Sequence, residues 1–122
     1  MSDSKTLTKA DLYQFTGSEH WYIHALNPKV VFTDGAKYVA DHGGAYWLLD
    51  TIALAQRTEK KVASTRFQLW TLKVNADRTA TLTCVKGDCK PVYTQELEFT
   101  DFPLAEIKFY FTNNTIYLPS EH

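Results

Sequence analysis

The second half of the chain alternates apolar and polar residues in three successive runs. The apolar members are Trp70, Leu72 and Val74, then Ala80, Leu82 and Cys84, then Tyr93, Leu97 and Phe99. A period of two is typical of strands with one face on a core and the other in water. Turn-forming residues at 75–78 and 86–88 separate the runs. The pattern therefore predicts a three-stranded antiparallel meander between residues 66 and 100.

The first half of the chain carries start and stop signals for short helices. Thr8 is a favourable N-cap, which predicts a helix over 9–15. A second short helix is expected over 18–26, because a proline follows it closely and the residue before proline avoids the helical region. A third is expected over 36–41, with a small strand at 30–32 before it.

The segment 45–57 is apolar at most of its positions. A helix that is apolar nearly all round is usually covered on several sides, so this segment is predicted to be the central helix. The polar segment 58–65 is predicted to be a loop.

The tail fits two structures. Leu104, Ile107 and Phe111 would share one face of a helix, but Ile107, Phe109 and Phe111 also alternate as in a strand. We favour a short helix over 104–112 followed by a strand, and the strand alternative stays open. Together, the elements predict an α+β fold, with N-terminal helices and the central helix packed on an antiparallel meander of three to four strands. The length fits one domain over 1–122, with 1–6 frayed.

Composition and charge narrow the function classes. The formal net charge is −1 and the basic residues are scattered, which makes a nucleic-acid partner unlikely because such binding draws on clustered positive charge. No apolar run is long enough for a signal peptide or a membrane span, so we expect a cytoplasmic protein. Cys84 and Cys89 do not form a disulfide scaffold; free thiols are the simplest interpretation, and a redox-linked bridge across a hairpin or a shared metal is the alternative.

Two histidines have a metal-ligand spacing. His20 and His24 would share a helix face at i, i+4. The zincin pattern needs a glutamate after the first histidine, where this chain has Trp21, and a third ligand would have to be His42 or Asp41. Two ordinary histidines on an aromatic helix are the simpler interpretation, and no cofactor is expected.

The segment 41–47, DHGGAYW, is the most unusual local string. Its two glycines would let backbone N–H groups approach an anion, but a tight joint between two helices is the simpler interpretation. Asp50 lies in an apolar helix and needs a partner if it is buried; it either braces nearby backbone or lines a pocket. The residues predicted to line a ligand pocket between the central helix and the meander are Tyr46, Trp47, Trp70 and Tyr93, with Asp50 or His42 as a polar anchor.

Several strings, among them LTKADLYQFTGSEHWY, HGGAYWLLDTIALAQ, FQLWTLKVN, FTDFPLAEIKFYF and LPSE, resemble those of a family of small uncharacterised bacterial proteins. The resemblance covers nearly the whole chain. It implies an accessory protein, often carried on plasmids or other mobile elements, and it brings no known activity, cofactor or catalytic residue.

Three hypotheses of function follow. The first is a non-enzymatic accessory protein that binds another protein or a second copy of itself, since the chain has more aromatic side chains than one small core needs. The second is a small-ligand binder that uses the aromatic pocket. The third is a metal-dependent enzyme built on His20, His24 and His42. None of the standard nucleotide or hydrolase motifs is present, so the sequence favours a non-enzymatic protein.

Overall fold

The computed structural model describes residues 7–12, 14–15, 20–87 and 90–121. The helices are α1 (Lys9–Leu12), α2 (Asp34–Gly43), α3 (Tyr46–Thr58) and α4 (Lys60–Ala63). The strands are β1 (Trp21–Ile23), β2 (Val31–Thr33), β3 (Gln68–Val74), β4 (Ala80–Lys86), β5 (Pro91–Leu97), β6 (Glu106–Thr112) and β7 (Thr115–Tyr117). A short 3₁₀ turn, Pro119–Glu121, follows β7. Within the described ranges, no helix has both the length and the apolar character needed to cross a bilayer.

The strands form a seven-stranded mixed sheet in the order β1-β2-β7-β6-β3-β4-β5. Neighbouring strands are antiparallel, except that β2 and β7 run parallel. The predicted meander is present as β3, β4 and β5. The predicted sheet of three to four strands is wrong, however, because β6, β7, β2 and β1 continue it beyond β3. The α+β class holds, with more strand than the sequence indicated.

The segment 104–112 shows why the strand count was underestimated. Its two periodicities coincide at Ile107 and Phe111, so the pattern alone does not separate helix from strand. In the structure this segment forms β6, which is paired with β3 on one side and β7 on the other. Hydrogen-bond partners on both edges, supplied by the distant β3 and by β7 across the turn at 113–114, decide in favour of the strand.

The helix predicted over 18–26 is also absent from the described part of that segment. Residues 18 and 19 lie outside the described residues, and 21–23 form β1. β1 pairs with β2, so that Tyr22 lies opposite Phe32 and the two rings stack at 5.6 Å between centroids. The intervening loop closes through a bond from the His24 N–H to the Val30 carbonyl.

Smaller corrections concern element ends. The first helix covers 9–12, whereas the prediction ran to 15 and included residue 13, which is outside the described residues. α2 is longer than predicted at both ends, α3 matches the predicted central helix within one residue, and the predicted loop at 58–65 contains α4. Phe99 was expected on the core face, but β5 ends at Leu97 and the Phe99 side chain is 70 % exposed.

The core lies against one face of the sheet. The register places the buried residues of β3, β4 and β6 on the same side, where they form one cluster with buried residues of α2 and α3. The sheet residues that carry most of this face are Trp70, Leu72, Leu82, Cys84, Ile107, Phe109 and Phe111. The opposite face carries more polar side chains, among them Thr71, Thr83 and Lys108, that are half-buried or exposed.

A buried amide fixes the connection from α3 and α4 to the sheet. The side chain of Gln68 has no exposure, and its amide pairs reciprocally with that of Gln56 at 2.9 Å. Its Nε2 also donates to the carbonyls of Val62 and Thr65, and its Oε1 accepts from the Trp70 indole. A buried polar side chain whose hydrogen-bonding groups are all paired stabilises one conformation of the surrounding backbone.

The carboxylate of Glu121 anchors the C-terminal LPSE string at the first turn of α2. It accepts the Thr33 hydroxyl at 2.7 Å, the Gly35 N–H at 3.0 Å and the Leu118 N–H at 2.9 Å. A negative charge is favourable here because the N-terminus of a helix is its positive end. A larger residue at position 35 would displace this carboxylate, since an added Cβ would lie 2.7 Å from the Glu121 Cδ.

We predict that Glu121→Ala lowers the free energy of unfolding by about 1–3 kcal/mol, because three donors lose a charged acceptor. Urea denaturation measures the change. Glu98→Ala is the matched control, since it removes the same charge from an exposed position. An equal decrease in the free energy of unfolding for Glu121→Ala and Glu98→Ala would mean that the Glu121 hydrogen bonds do not stabilise the fold.

Candidate functional site

The six residues predicted to bind a ligand divide into two groups. Trp70 on β3 and Tyr93 on β5 lie on either side of Cys84 in the intervening strand β4, with ring centroids 5.5 Å apart, and Trp70 is 1 % exposed. The other four, His42, Tyr46, Trp47 and Asp50, lie at the end of α2 and along the first turns of α3. Ligand binding by this set stays a prediction.

The paired glycines of the HGGAYWLLD string make the joint between α2 and α3. Gly44 has a φ of 62°, in the left-handed region, and its N–H bonds to the Ala40 carbonyl to end α2. Gly43 packs tightly, because an added Cβ would lie 2.8 Å from the Phe102 ring. The backbone thus forms the tight helix–helix joint that the sequence indicates.

His42 and Tyr46 make surface contacts around this joint. His42 stacks on Tyr38 at 4.0 Å between ring centroids. The Tyr46 hydroxyl donates to Asp41, which also accepts from the Lys37 ammonium at 2.7 Å. Partial burial acts to raise the pKa of Asp41, but the Lys37 and Tyr46 hydrogen bonds outweigh it and hold that pKa below its ordinary value. Asp41 is therefore a charged link between α2 and α3.

Asp50 braces the loop that follows β1. The buried His24 accepts the backbone N–H groups of Leu26 and Asn27 on its Nδ1, so its proton resides on Nε2. That nitrogen donates to Asp50 Oδ1 at 2.9 Å. The Asn27 side chain donates to the Ala53 carbonyl, also on α3. These bonds fix the 24–27 loop on the central helix, and both His24 nitrogens are used in doing so.

The other end of β1 is held by the first turn of α2. The Tyr22 hydroxyl donates to Asp34 at 2.9 Å, and the His20 backbone N–H contacts the same carboxylate. The hydrogen bond to Asp34 is the main cause that raises the pKa of Tyr22. β1 is therefore positioned from both of its ends.

The two histidines of the predicted metal site flank β1. An extended chain separates residues i and i+4 by roughly 13 Å, about twice the separation on a helix face. Across the residues that the structure describes, no three histidine, cysteine, aspartate or glutamate side chains converge as metal ligands would. His20 and His24 instead make the separate contacts with Asp34 and Asp50.

Cys84 lies on the buried face of β4, and Cys89 is outside the described residues. Burial raises the pKa of the Cys84 thiol to about 12. Because the thiolate is the reactive form of cysteine, Cys84 is an inert part of the core.

The most unusual surface feature is the outer edge of β1. β1 is the first strand in the sheet order, so among the residues that the structure describes only its β2 edge is paired. Its Trp21 and Ile23 side chains are 57 % and 70 % exposed, and Leu26 in the next turn is 51 % exposed. Sequence reasoning missed this edge because it assigned the segment to a helix. The run of Trp21, Tyr22 and Ile23, aromatic and β-branched residues that favour strands, was the signal that could have identified a strand.

The orientation of the backbone along β1 follows from one bond. The His24 N–H points inward to the Val30 carbonyl, and successive strand residues point to opposite edges. The N–H and carbonyl groups of Trp21 and Ile23 therefore point outward, away from β2. This edge presents two donors and two acceptors beside two apolar side chains.

We predict that the Cys84 thiol is unreactive in the folded protein. In a Cys89→Ser variant, reaction of Cys84 with a thiol reagent at pH 8 should be about a thousandfold slower than in urea, since its thiolate fraction is that much smaller. Equal rates in the two conditions would show that the thiol is not buried. The same reaction in unfolded protein is the control.

The raised pKa of Cys84 also predicts a loss of stability in alkali. The unfolded thiol ionises near pH 9 and the folded one near pH 12, so stability is complete below pH 9 and falls as the pH rises toward 12. Urea titrations at pH 8 and pH 10.5 should show a larger loss for Cys89→Ser than for Cys84→Ala/Cys89→Ser. Equal losses of stability in the two variants would show that the pKa of Cys84 is not the cause.

Comparison with known proteins places the chain in a family. Residues 6–122 match the model described as "Family of unknown function (DUF6876)". No curated protein and no solved structure matches the chain. The family match covers nearly the whole sequence and is consistent with the expected membership of an uncharacterised family. The chain therefore belongs to this family of unknown function, DUF6876.

Proposed function

We propose that the protein is a non-enzymatic interaction module that associates with a second copy of itself through the outer edge of β1. Its main support is the apolar, outward-facing edge of a strand that is held firmly in place. An accessory role of this kind also fits the mobile-element setting that the family resemblance implies.

The two edges of the sheet differ in their protection. Proteins blunt an exposed edge with proline, charged side chains and bulges, because an open edge is a template for another strand. β5, at the far end, has all three: it begins at Pro91, carries Glu96 and has a register shift opposite Cys84 and Val85. β1 reads Trp-Tyr-Ile and has none of them. The unprotected edge is therefore the one suited to pairing.

A two-fold axis at Tyr22 satisfies every outward group of β1. Antiparallel pairing about this axis sets Trp21 opposite Ile23 of the second copy, and Ile23 opposite its Trp21. Each of these pairs exchanges two hydrogen bonds, giving four in all. An aromatic side chain then faces a β-branched one across the strands, which is a favourable cross-strand pair. The same surface serves both copies, as a closed dimer requires.

The charge on the protein permits this association. Net charge far from zero keeps proteins apart, and this chain has a formal net charge of −1. No residue of β1 is charged. Because three-residue strands bury little area, the dimer is expected to be weak, with a dissociation constant on the order of micromolar.

We predict that Ile23→Lys abolishes self-association. A lysine at this position adds a charge on each side of the axis and removes the apolar contact with Trp21. Sedimentation velocity from low micromolar to near-millimolar protein should show a growing dimer fraction for the wild type and a monomer for the variant.

Phe99→Lys is the matched control, since Phe99 is also 70 % exposed but lies outside β1. This variant should associate like the wild type. Ile23→Pro tests the hydrogen bonds, because it removes an outward N–H that has no partner within β1 and β2. A wild type that stays monomeric at every concentration would contradict the proposal. An equal loss of the dimer fraction in Ile23→Lys and Phe99→Lys would contradict it as well.

A further inference from the structure

The side chain of His24 is buried, and its hydrogen bonds hold the loop that follows β1. It is 4 % exposed. Its Nδ1 accepts the N–H groups of Leu26 at 3.1 Å and Asn27 at 3.3 Å, and its Nε2 donates to Asp50 at 2.9 Å. The ring is therefore neutral, and its unprotonated nitrogen is the acceptor around which the 24–27 loop turns.

A second proton on the His24 ring would remove this acceptor. It could bind only at Nδ1, because Nε2 already carries one, and it would set an N–H against the N–H groups of Leu26 and Asn27. Asn27 is 5 % exposed, so its N–H would lose its partner at a position that water does not reach, which is costly for a buried donor. The closed loop therefore disfavours protonation of His24.

The carboxylate of Asp50 opposes this effect only weakly. It would attract a protonated His24 ring, since the two groups are already in contact. The Asp50 side chain is 42 % exposed, however, and water weakens the attraction of an exposed ion pair. One partly solvated charge pair does not replace two backbone hydrogen bonds, one of them to a buried donor.

The positive charges near the loop favour a neutral ring. Arg57 on α3 donates to the Leu26 carbonyl at 3.4 Å, and Lys29 is exposed within the same loop. Both would repel a second positive charge. β2 presents the edge of the Phe32 ring, and neither β1 nor β2 contains a charged residue. Asp34 on α2 contacts the other end of β1, through Tyr22.

The loop that His24 holds also closes the β1–β2 pair. The His24 N–H donates to the Val30 carbonyl, and the Val30 N–H donates to the Asn27 carbonyl, both at 2.9 Å. β1 itself has three residues, so opening of the loop releases one end of a short strand. Surface loops and short edge strands belong to the least stable parts of a fold, which places their opening within reach of a change of one or two pH units.

We propose that His24 is a pH-sensitive switch that keeps the 24–27 loop closed at neutral pH and opens it in mildly acidic solution, which loosens the edge of β1. The open loop binds one proton more than the closed loop. Below about pH 6.5, where a histidine in water takes up a proton, each further pH unit therefore favours opening about tenfold. The consequence for pairing between two copies rests on the proposed self-association, whereas the opening of the loop does not.

Backbone amide hydrogen exchange between pH 7.5 and pH 5, followed by nuclear magnetic resonance, tests the opening of the loop. Exchange rates are divided by those of an unstructured chain at the same pH, which gives a protection factor. Protection of the Leu26 and Asn27 N–H groups should fall about tenfold per pH unit below about pH 6.5. Leu72, in the middle of β3, reports unfolding of the whole domain, and its protection should fall less. The same measurement on Ile23→Lys observes the loop in a protein that does not self-associate.

Three variants assign the proton to a residue. In His24→Asn, the side-chain oxygen can accept the loop N–H groups but takes up no proton in this range, so loop protection should not depend on pH. His42→Asn is the matched control, because it removes an exposed histidine outside the loop, and it should respond like the wild type. Asp50→Asn should also keep the tenfold change per pH unit, since the acceptor that is lost in acid is Nδ1 of His24.

Sedimentation velocity at pH 7.5 and pH 5 tests the consequence for self-association. The dissociation constant of the wild-type dimer should rise at least about threefold in acid, because only the closed form pairs. That of His24→Asn should change less. Equal dissociation constants of the wild type at the two pH values, together with an open loop at pH 5, would overturn the link between the loop and β1.

Loop protection that stays constant from pH 7.5 to pH 5 would overturn the switch, whatever the oligomeric state. An equal fall in His24→Asn and the wild type would do the same, and so would a fall that Asp50→Asn abolishes. A wild type that opens its loop in acid but stays monomeric at every pH would support the switch and contradict the proposed self-association.

Discussion

The parallel pairing of β2 with β7 is the contact on which the seven-stranded sheet depends. It is short, with Val31 opposite Thr115 and Phe32 opposite Ile116. It joins the β1–β2 pair to the five strands from the second half of the chain. Bringing together segments so far apart in sequence costs loop entropy, so this short contact needs support from outside the strands.

Glu121 supplies part of that support. Its carboxylate, 88 residues from Thr33 along the chain, connects the C-terminal turn to the residues where β2 ends and α2 begins. The LPSE string, which sequence reasoning recognised without assigning it a role, is in this structure a helix anchor. Once β2 is fixed beside β7, β1 becomes the outermost strand, and its free edge is a consequence of the topology.

The sequence predicted those parts of the fold that are stabilised by near neighbours. The meander was predictable because its strands alternate cleanly and are joined by short hairpins, and α3 because most of its thirteen positions are apolar. β6 was not, since its partner β3 lies far back along the chain, and β1 was not, since its three residues are all apolar and show no apolar–polar alternation. Because successive side chains of a strand point to opposite faces, Trp21 and Ile23 point away from the core. Their apolar character therefore did not reflect burial and could not be used to predict the strand. The His24–Asp50 bond joins residues 26 apart and likewise has no local signal.

The two ends of the sheet have different chemistry. At one end, β1 offers an apolar edge with unpaired backbone groups, which suits a second protein chain. At the other, β5 begins at Pro91, carries Glu96 and has a register shift, so it is protected against pairing. The strands β2, β7, β6, β3 and β4 lie between them. The sheet is therefore open to extension by another strand at the β1 end and protected against it at the β5 end.

Pairing through β1 is tested most directly by backbone amide hydrogen exchange, followed by nuclear magnetic resonance over a range of protein concentrations. The N–H groups of Trp21 and Ile23 point outward, whereas that of Tyr22 points toward β2. The account predicts that exchange at Trp21 and Ile23 slows as concentration rises, while exchange at Tyr22 stays constant. Exchange at Trp21 and Ile23 that remains fast at every concentration would contradict it.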